Sequence, residues 1–342
     1  MDAFSEVLSA VHMTGAIFLD AEFTAPWGVS VPQADRVAAV LAPAVEHIVS
    51  YHLVIEGEML VEYEGGEALQ LSAGDIVIMP FGDAHRLSAG AAPRFIDSAL
   101  VLRRLSRGKV ARLRLGGRGG AKTRIVCGFF GCRRQAVRLF LAGLPPILRI
   151  PVRNDPSGAW VESSIRHLVS EAETGRPGRS ILLSRMAEAL FIESMRHYME
   201  RLPEGQSGWL AAARDPVVGR VLELIHREPQ SEWSAAALAK SAGSSRSVVT
   251  ERFRRLLGEG PISYLSRWRL HLAARLLETT QDSVLQLAGD VGYESEAAFN
   301  RAFKREFGAP PARYRKQTRT QGRLRAPSDQ SLIEVYPSDA SA

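Results

Sequence analysis

Two stretches near the C-terminal end of the chain carry side chains that can hydrogen-bond to nucleic acid. In both stretches these side chains recur at the spacing of one face of a helix. In the first stretch the polar strip consists of Arg246, Ser247, Thr250 and Arg254. In the second, the outward positions hold Ala297, Asn300, Arg301 and Lys304. Residues three and four apart share one face of a helix. Asparagine suits adenine, arginine suits guanine, and basic side chains bind phosphate, so the pattern indicates recognition of DNA.

Two histidines in the N-terminal half, His52 and His85, are the candidates for binding a ligand. Two imidazoles can hold zinc weakly or hydrogen-bond an organic molecule, but they leave a third protein ligand for a metal unaccounted for. Three interpretations stay open: a divalent metal ion, an organic effector contacted by both rings, and plain packing. The sequence predicts an effector site at these two residues, no catalytic residue and no required cofactor.

The two cysteines, Cys127 and Cys132, are separated by four residues in a segment that reads as strand and turn. A reversible disulfide between them would make a redox sensor. The alternative is that both are small buried hydrophobic side chains, and it is the favoured interpretation. Two cysteines cannot form a disulfide framework, which is typical of a protein from a reducing compartment.

The basic stretches belong to a unit that is written twice, over residues 238–264 and 287–314. The copies share the pairs Leu238 and Leu287, Gly243 and Gly292, Phe253 and Phe303, Gly258 and Gly308, Pro261 and Pro311, and Tyr264 and Tyr314. In each copy a short helix ends at a glycine turn and a longer basic helix follows. Ser244 or Ser245 is predicted to cap this helix in the first copy, and Glu294, Ser295 and Glu296 are predicted to cap it in the second. The free N–H groups at such helix starts offer phosphate sites. The doubled unit predicts two helix-turn-helix motifs for two neighbouring major grooves of DNA.

Residues 261–279 lie between the two basic helices and predict a single connecting helix that begins at Pro261. A helix of ~19 residues is roughly 28 Å long, and one turn of B-DNA is about 34 Å. A rod of this length holds the two motifs near the spacing of successive major grooves. Arg267, Arg269 and Arg275 lie along this helix and are predicted to neutralise the charge of the DNA backbone.

The N-terminal half shows a period of two over residues 45–87, with turns at Gly57, Gly65, Gly74 and Gly82. Short strands at close spacing predict an antiparallel barrel or sandwich. Residues 103–124 are rich in Arg and Gly without an apolar period, which predicts a loop. Strands are expected again at 125–130 and 144–150.

Two further helices are predicted over 157–173 and 180–202, separated by the turn at 175–178. One apolar stripe contains Ile165, Leu168, Val169 and Ala172, and the other contains Leu183, Met186, Leu190, Met195 and Tyr198. Such faces need cover that one hairpin does not provide. A contact between two copies of the chain and packing onto the barrel both remain open.

The formal net charge of +6 and a pI near 9.6 favour a polyanionic partner. The first residues lack the pattern of a secretory signal, and no apolar run approaches ~20 residues. The sequence therefore predicts a cytoplasmic protein that does not span a membrane.

Residues 215–316 resemble the DNA-binding domain of the AraC/XylS family of bacterial transcription regulators. The segment 288–315, AGDVGYESEAAFNRAFKREFGAPPARYR, carries the most specific part of this resemblance. In that family the base contacts come from the two recognition helices. The resemblance implies base contacts from Ser247, Thr250, Glu251, Ala297, Asn300 and Arg301. Glu251 stands where some relatives carry a basic residue, and its carboxylate can accept a hydrogen bond from cytosine or repel phosphate.

The segment 74–85, GDIVIMPFGDAH, resembles the second motif of the cupin barrel, in which the histidine that matches His85 is a metal ligand. Other positions that hold metal ligands in that family are occupied here by Ser50 and Ala89. Most of the side chains that would bind a metal are therefore missing. Together the resemblances imply a one-component regulator, an activator or a repressor, with a sensor barrel for a small molecule or a redox signal. Its expected partners are promoter DNA, a second copy of the chain, and RNA polymerase if it activates transcription. The alternative is a cupin-type metal-dependent enzyme that carries a DNA-binding module, against which Ser50 and Ala89 speak.

The predicted fold is a two-domain α+β chain, with an N-terminal antiparallel cupin-like β-barrel and a C-terminal all-α domain that contains two helix-turn-helix motifs. The expected organisation is a sensor barrel at 1–155, a helical pair for dimerisation at 156–205, a linker at 206–214, the DNA-binding domain at 215–316 and a disordered tail at 317–342.

Overall fold

The computed structural model describes residues 3–5, 7, 14–34, 36, 46–91, 95–98, 112–116, 119–132, 141, 143–151, 159–161, 163–164, 167, 170–171, 176–203 and 205–325. The chain forms two compact units. We call residues 13–137 and 144–198 the barrel unit, and residues 1–12, 138–143 and 199–326 the helical unit.

The barrel unit contains two sheets. Its strands are β1 (Thr14–Thr24), β2 (Trp27–Val31), β3 (His47–Glu56), β4 (Glu58–Tyr63), β5 (Leu69–Ser72), β6 (Asp75–Met79), β7 (His85–Ala89), β8 (Ile96–Asp97), β9 (Arg112–Gly116), β10 (Lys122–Cys132) and β11 (Leu148–Pro151). One sheet has the order β11-β6-β3-β10-β1-β9 and the other β5-β4-β7-β2-β8. Neighbouring strands are antiparallel except for the pairs β1–β9 and β2–β8.

The core of the barrel unit is formed by alternate side chains of both sheets. Val54 and Ile125 come from the six-stranded sheet, and Val61 and Leu87 come from the five-stranded sheet. The sequence prediction of short antiparallel strands is confirmed. Gly57 shows why the turns require glycine, because its φ is +79° and a Cβ there would lie 2.1 Å from the carbonyl oxygen of Lys122.

The loop predicted for residues 103–124 is wrong in part, because it contains β9. This strand pairs in parallel with β1, and Leu113 and Leu115 pack against the barrel core. Arg114 lies between them, is exposed and contacts Glu22 at 3.6 Å. The alternation of leucine and arginine is the period-two signal that the arginine and glycine content obscured. Residues 103–111 and 117–118 lie outside the described residues.

The second predicted helix of the pair is observed as α1 (Arg179–Glu200). Leu190, Phe191 and Met195 are buried, and the Phe191 ring lies 4.9 Å from that of Phe130 on β10. The helix therefore packs on the outer face of the six-stranded sheet. The stripe predicted at Ile165, Leu168, Val169 and Ala172 lies outside the described residues, as does the side chain of Leu183.

The helical unit consists of α2 (Trp209–Arg214), α3 (Val218–Arg227), α4 (Ala235–Ser241), α5 (Arg246–Leu257), α6 (Pro261–Thr279), α7 (Val284–Asp290), α8 (Glu296–Phe307) and α9 (Pro311–Arg325). The predicted repeat is confirmed, since α4–α5 and α7–α8 are two helix-turn-helix motifs joined by α6. In both copies a serine accepts a hydrogen bond from a helix N–H, as Ser245 does from Val248 and Ser295 from Ala298.

Three of the predicted boundaries differ from the structure. The linker at 206–214 contains α2, whose Trp209 and Leu210 are buried. Residues 1–12, predicted to belong to the barrel, are part of the helical unit, where Phe4 stacks on Trp209 with ring centroids 6.3 Å apart. The tail predicted to begin at 317 starts as helix, because α9 continues to Arg325. No helix among the described residues is long and apolar enough to cross a bilayer.

Candidate nucleic-acid interface and barrel cavity

The second helix of each motif, α5 or α8, presents one buried and one open face. On α5, Val249 and Phe253 are buried and Arg246, Ser247, Glu251 and Arg254 are exposed. On α8, Phe299 and Phe303 are buried and Ser295, Ala297, Arg301 and Lys304 are exposed. Thr250 and Asn300 are half-buried on the same open faces, and Phe307 is half-buried at the end of α8. The structure thus brings the predicted DNA-binding side chains together on one face of each helix.

Local hydrogen bonds occupy some of these polar groups. The Thr250 hydroxyl donates to the Arg246 carbonyl at 2.8 Å, and the Ser247 and Ser245 hydroxyl oxygens lie 2.9 Å apart. The charged side chains differ, since Arg246, Glu251, Arg254, Arg301 and Lys304 make no ion pair within the part of the chain that the structure describes. These charged groups are available to an external partner.

Arg269, on the connecting helix α6, joins the two motifs. Its Nε donates to the carbonyl of Pro229 at 2.6 Å and its Nη2 to that of Ser231 at 2.8 Å, both in the segment before α4. Its Nη1 donates at 2.9 Å to the carbonyl of Gly292, in the turn between α7 and α8. Burial lowers the pKa of this guanidinium. One side chain therefore ties the turn of the second motif to the segment that leads into the first motif.

This contact corrects the prediction that Arg267 and Arg269 neutralise the DNA backbone. Arg269 uses all three of its guanidinium nitrogens within the helical unit, and Arg267 is paired with Glu259. Arg275 is half-buried and makes no ion pair among the described residues, so its role at the backbone stays a prediction. The sequence showed where these arginines lie along the helix, but not which carbonyls the fold brings to them.

A hydrogen-bonded aromatic cluster that sequence reasoning missed joins α2, α3 and α6. The indole N–H of Trp209 donates to the Tyr264 hydroxyl at 2.8 Å, and that hydroxyl lies 2.8 Å from Nε2 of His226. Because the indole is only a donor, the tyrosine O–H donates to the histidine. The His226 ring stacks on Trp268 at 4.2 Å, and burial lowers its pKa to about 3. His226 is therefore a neutral structural acceptor.

The barrel unit contains a cavity of about 90 Å³. Its wall is largely apolar and includes Leu19, Phe23 and Ile125. The polar side chains in the wall are Ser50, His52 and Ser98, together with the thiol of Cys127. His52 and Cys127 are cross-strand neighbours on β3 and β10, which places both side chains on the inner face.

His52 and His85 are in direct contact and are both buried. Their Nε2 atoms lie 2.7 Å apart, and Nδ1 of His85 lies 2.8 Å from the carbonyl of Asp83. His52 belongs to the six-stranded sheet and His85 to the five-stranded sheet, so the pair bridges the two sheets. Burial lowers the pKa of His85 to about 4, and burial together with His85 holds the pKa of His52 well below its usual value.

The histidine pair does not fit a metal centre. The pair supplies two nitrogen ligands, whereas protein zinc sites use three or four protein ligands. Among the described residues no three His, Cys, Asp or Glu side chains are grouped so that they could hold a metal. The cupin ligand positions occupied by Ser50 and Ala89 agree with this.

The alternative of a reversible disulfide between Cys127 and Cys132 is wrong for this fold. Both residues lie on β10 five positions apart, which separates their Cα atoms by about 16 Å and points their side chains to opposite faces. A disulfide requires Cα atoms within about 7 Å. Burial raises the pKa of the Cys127 thiol, and burial with the nearby Glu46 raises that of Cys132 to about 12. Both thiols are therefore protonated, with Cys132 buried and Cys127 half-buried.

The two helix-turn-helix motifs and the two-sheet barrel define a class of protein, the DNA-binding transcription regulators that carry an N-terminal barrel. Residues 2–200 match a family model described as cupin, and residues 238–317 match one described as a helix-turn-helix domain. The chain belongs to the AraC family of transcription regulators, in the branch with an N-terminal cupin domain.

The relatives agree with this assignment. A putative AraC-like transcription regulator of Streptomyces lividans is 36% identical over 79% of this chain and 87% of its own length. The regulator AlkR of Acinetobacter baylyi is 28% identical over 93% of this chain and 100% of its own length. The RCS-specific activator RclR of Escherichia coli is 28% identical over 80% of this chain and 86% of its own length. All three are named as regulators of transcription.

Proposed function

We propose that α5 and α8 enter successive major grooves of one promoter duplex. The observation that carries this proposal is the pair of matched open faces, held in one arrangement by α6 and Arg269. Ser247, Thr250 and Glu251 on α5, and Ala297, Asn300 and Arg301 on α8, then face base edges. Arg246, Arg254 and Lys304 contact phosphates, as does the helix start capped by Ser295.

Footprinting across the neighbouring promoters tests the proposal. Protection of one defined site with two contacts one helical turn apart, and a steep loss of affinity with salt, is the expected result. Arg301→Ala should relax discrimination at one base pair by roughly 1–3 kcal/mol. Arg254→Ala should weaken binding to all sequences alike and lower the salt slope by about 1. Equal effects of both substitutions on specific and random DNA would refute this division of roles.

We propose that the barrel cavity is the effector site and that the protein acts as a one-component regulator in the cytoplasm rather than as an enzyme. The cavity with its histidine pair supports the first part, and the poor fit of that pair to a metal supports the second. A thermal-shift screen of the full chain, repeated with Leu19→Trp to fill the cavity, tests this. Stabilisation by a compound that the filled variant no longer binds is expected, and equal stabilisation of both would place the effector elsewhere.

A dimer is proposed through the exposed part of α1. Ile181 is 64% exposed and Leu182 40% exposed, which is unusual for large aliphatic side chains on a helix whose other face is buried. Ile181→Asp should give monomers in sedimentation experiments and weaken binding to a two-site operator. RNA polymerase becomes a further partner if the bound protein activates transcription, which a reporter assay with and without the protein decides.

A further inference from the structure

The protonation of the histidine pair follows from the atoms around it. The carbonyl of Asp83 can only accept, so the hydrogen on His85 is at Nδ1. His85 is neutral at pH 7 because burial lowers its pKa to about 4. Its Nε2 therefore carries a lone pair, and the hydrogen in the contact with His52 belongs to Nε2 of His52.

One acceptor is left over by this arrangement. His52 is also neutral, so its Nδ1 carries a lone pair, and this buried atom has no hydrogen-bond partner among the described residues. The hydroxyl of Ser98 is likewise buried without a partner in the described part of the chain. A buried polar atom without a partner is costly, and such atoms in native proteins call for an explanation. Both residues line the barrel cavity.

The rest of the cavity limits what can meet these two atoms. None of the described side chains in its wall carries a formal charge. A carboxylate would bring a second lone pair towards Nδ1 of His52 and would lose its hydration without a cation in return. The volume of about 90 Å³ is smaller than the ~150 Å³ of an apolar cavity that holds benzene, so the molecule that fits is small.

We propose that the cavity binds a small, uncharged and mainly apolar molecule with a hydroxyl group that donates to Nδ1 of His52, with Ser98 as the second polar partner. The proposal rests on the proposed function, in which this cavity is the effector site. It adds the chemical class of the effector, which is that of a short alcohol rather than an acid, an amine cation or a plain hydrocarbon.

Ligand-observed NMR titrations of the full chain with 1-butanol, 1-fluorobutane and butyrate test the class. The first two have nearly the same shape, and only the alcohol donates a hydrogen bond. We expect 1-butanol to bind at least about fivefold more tightly than 1-fluorobutane, and butyrate not to bind at pH 7. His52→Phe should remove the difference between alcohol and fluoride, whereas His167→Phe, the same change at an exposed histidine, should keep it.

The outcomes separate the two proposals. Equal binding of 1-butanol and 1-fluorobutane overturns the hydroxyl class but leaves the cavity as an apolar effector site. Preferential binding of butyrate overturns the class in favour of an anion. If none of the three binds, both the class and the cavity as effector site are refuted. The comparison of ligands uses the unaltered protein, so it stands even if His52→Phe does not fold.

Discussion

Replacing Arg269 by methionine removes the guanidinium that joins the two helix-turn-helix motifs. A hydrogen bond with a charged partner contributes about 1.5–3 kcal/mol when buried. Because Arg269 is half-buried, we use about 1 kcal/mol for each of its three bonds to Pro229, Ser231 and Gly292. The free energy of unfolding of the helical unit should fall by about 3 kcal/mol, which lowers its Tm by roughly 10 °C.

The same substitution has a specific consequence for DNA binding. Without Arg269 the second motif keeps its own contacts with DNA, but it is no longer held in place beside the first motif. Its binding then gains less from the first motif being bound to the same DNA. Affinity for a site with both contacts should fall about tenfold or more, while affinity for DNA that contains one contact should change less than twofold. Calorimetric unfolding and gel-shift titrations with the two kinds of DNA measure these effects.

Arg275→Met is the matched control, because it changes the same residue type on the same helix without removing an ion pair among the described residues. It should alter stability by less than about 0.5 kcal/mol. If Arg269→Met destabilised the protein no more than this control, or weakened binding to both DNAs equally, the idea that Arg269 holds the two motifs in register would be wrong.

Two further predictions concern a glycine turn and a buried histidine. Gly292→Ala should destabilise the helical unit by more than about 1 kcal/mol, because φ is +84° and a Cβ would lie 2.7 Å from the Gln230 carbonyl oxygen. Gly289 lies in open space on α7, so Gly289→Ala should stabilise the unit by about 0.5–1 kcal/mol. Urea unfolding measures both free energies of unfolding, and equal effects of the two substitutions would contradict the argument. The pKa of His85 is about 4 in the folded barrel against about 6.5 unfolded, so the unfolded state binds more protons between these values. The contribution of His85 to the free energy of unfolding should be complete above pH 6.5 and fall by about 2 kcal/mol at pH 5, and His52, whose pKa is also lowered, adds to this fall. A flat profile in denaturant titrations would count against a buried neutral pair.

Much of the helical unit was predictable because its signals are local. The serine that begins α8, the glycine that ends it and the proline that begins α9 act within a few residues of their own helix, so Ser295, Gly308 and Pro311 mark the ends of α8 and the start of α9. Because the same pattern occurs twice, the prediction of helix ends in one copy supported the prediction in the other. Helix α2 was missed because its six residues carry too short an apolar pattern, and only the packing of Trp209 against Tyr264 reveals it.

The barrel was predictable as a set of strands, but its interior was not. Alternation along a strand shows which residues share a face, and the spacing of β3 placed His52 on the same face as Ser50. The contact between His52 and His85 depends on how two sheets meet, and these residues are 33 positions apart. The disulfide alternative for the two cysteines failed for the same reason, because four intervening residues suit a turn but not the continuous strand β10.

The sequence alone determined the kind of protein: a doubled capped helix unit with basic open faces, preceded by short alternating strands. These features are set by residues close together in the chain, where helix caps, turns and apolar periods act. The tertiary structure alone decided that Arg269 binds carbonyls rather than DNA, that one imidazole nitrogen of His52 is left without a partner, and that the two cysteines stay apart. Each of these depends on atoms that become neighbours only when distant segments pack, and no local pattern records such distances.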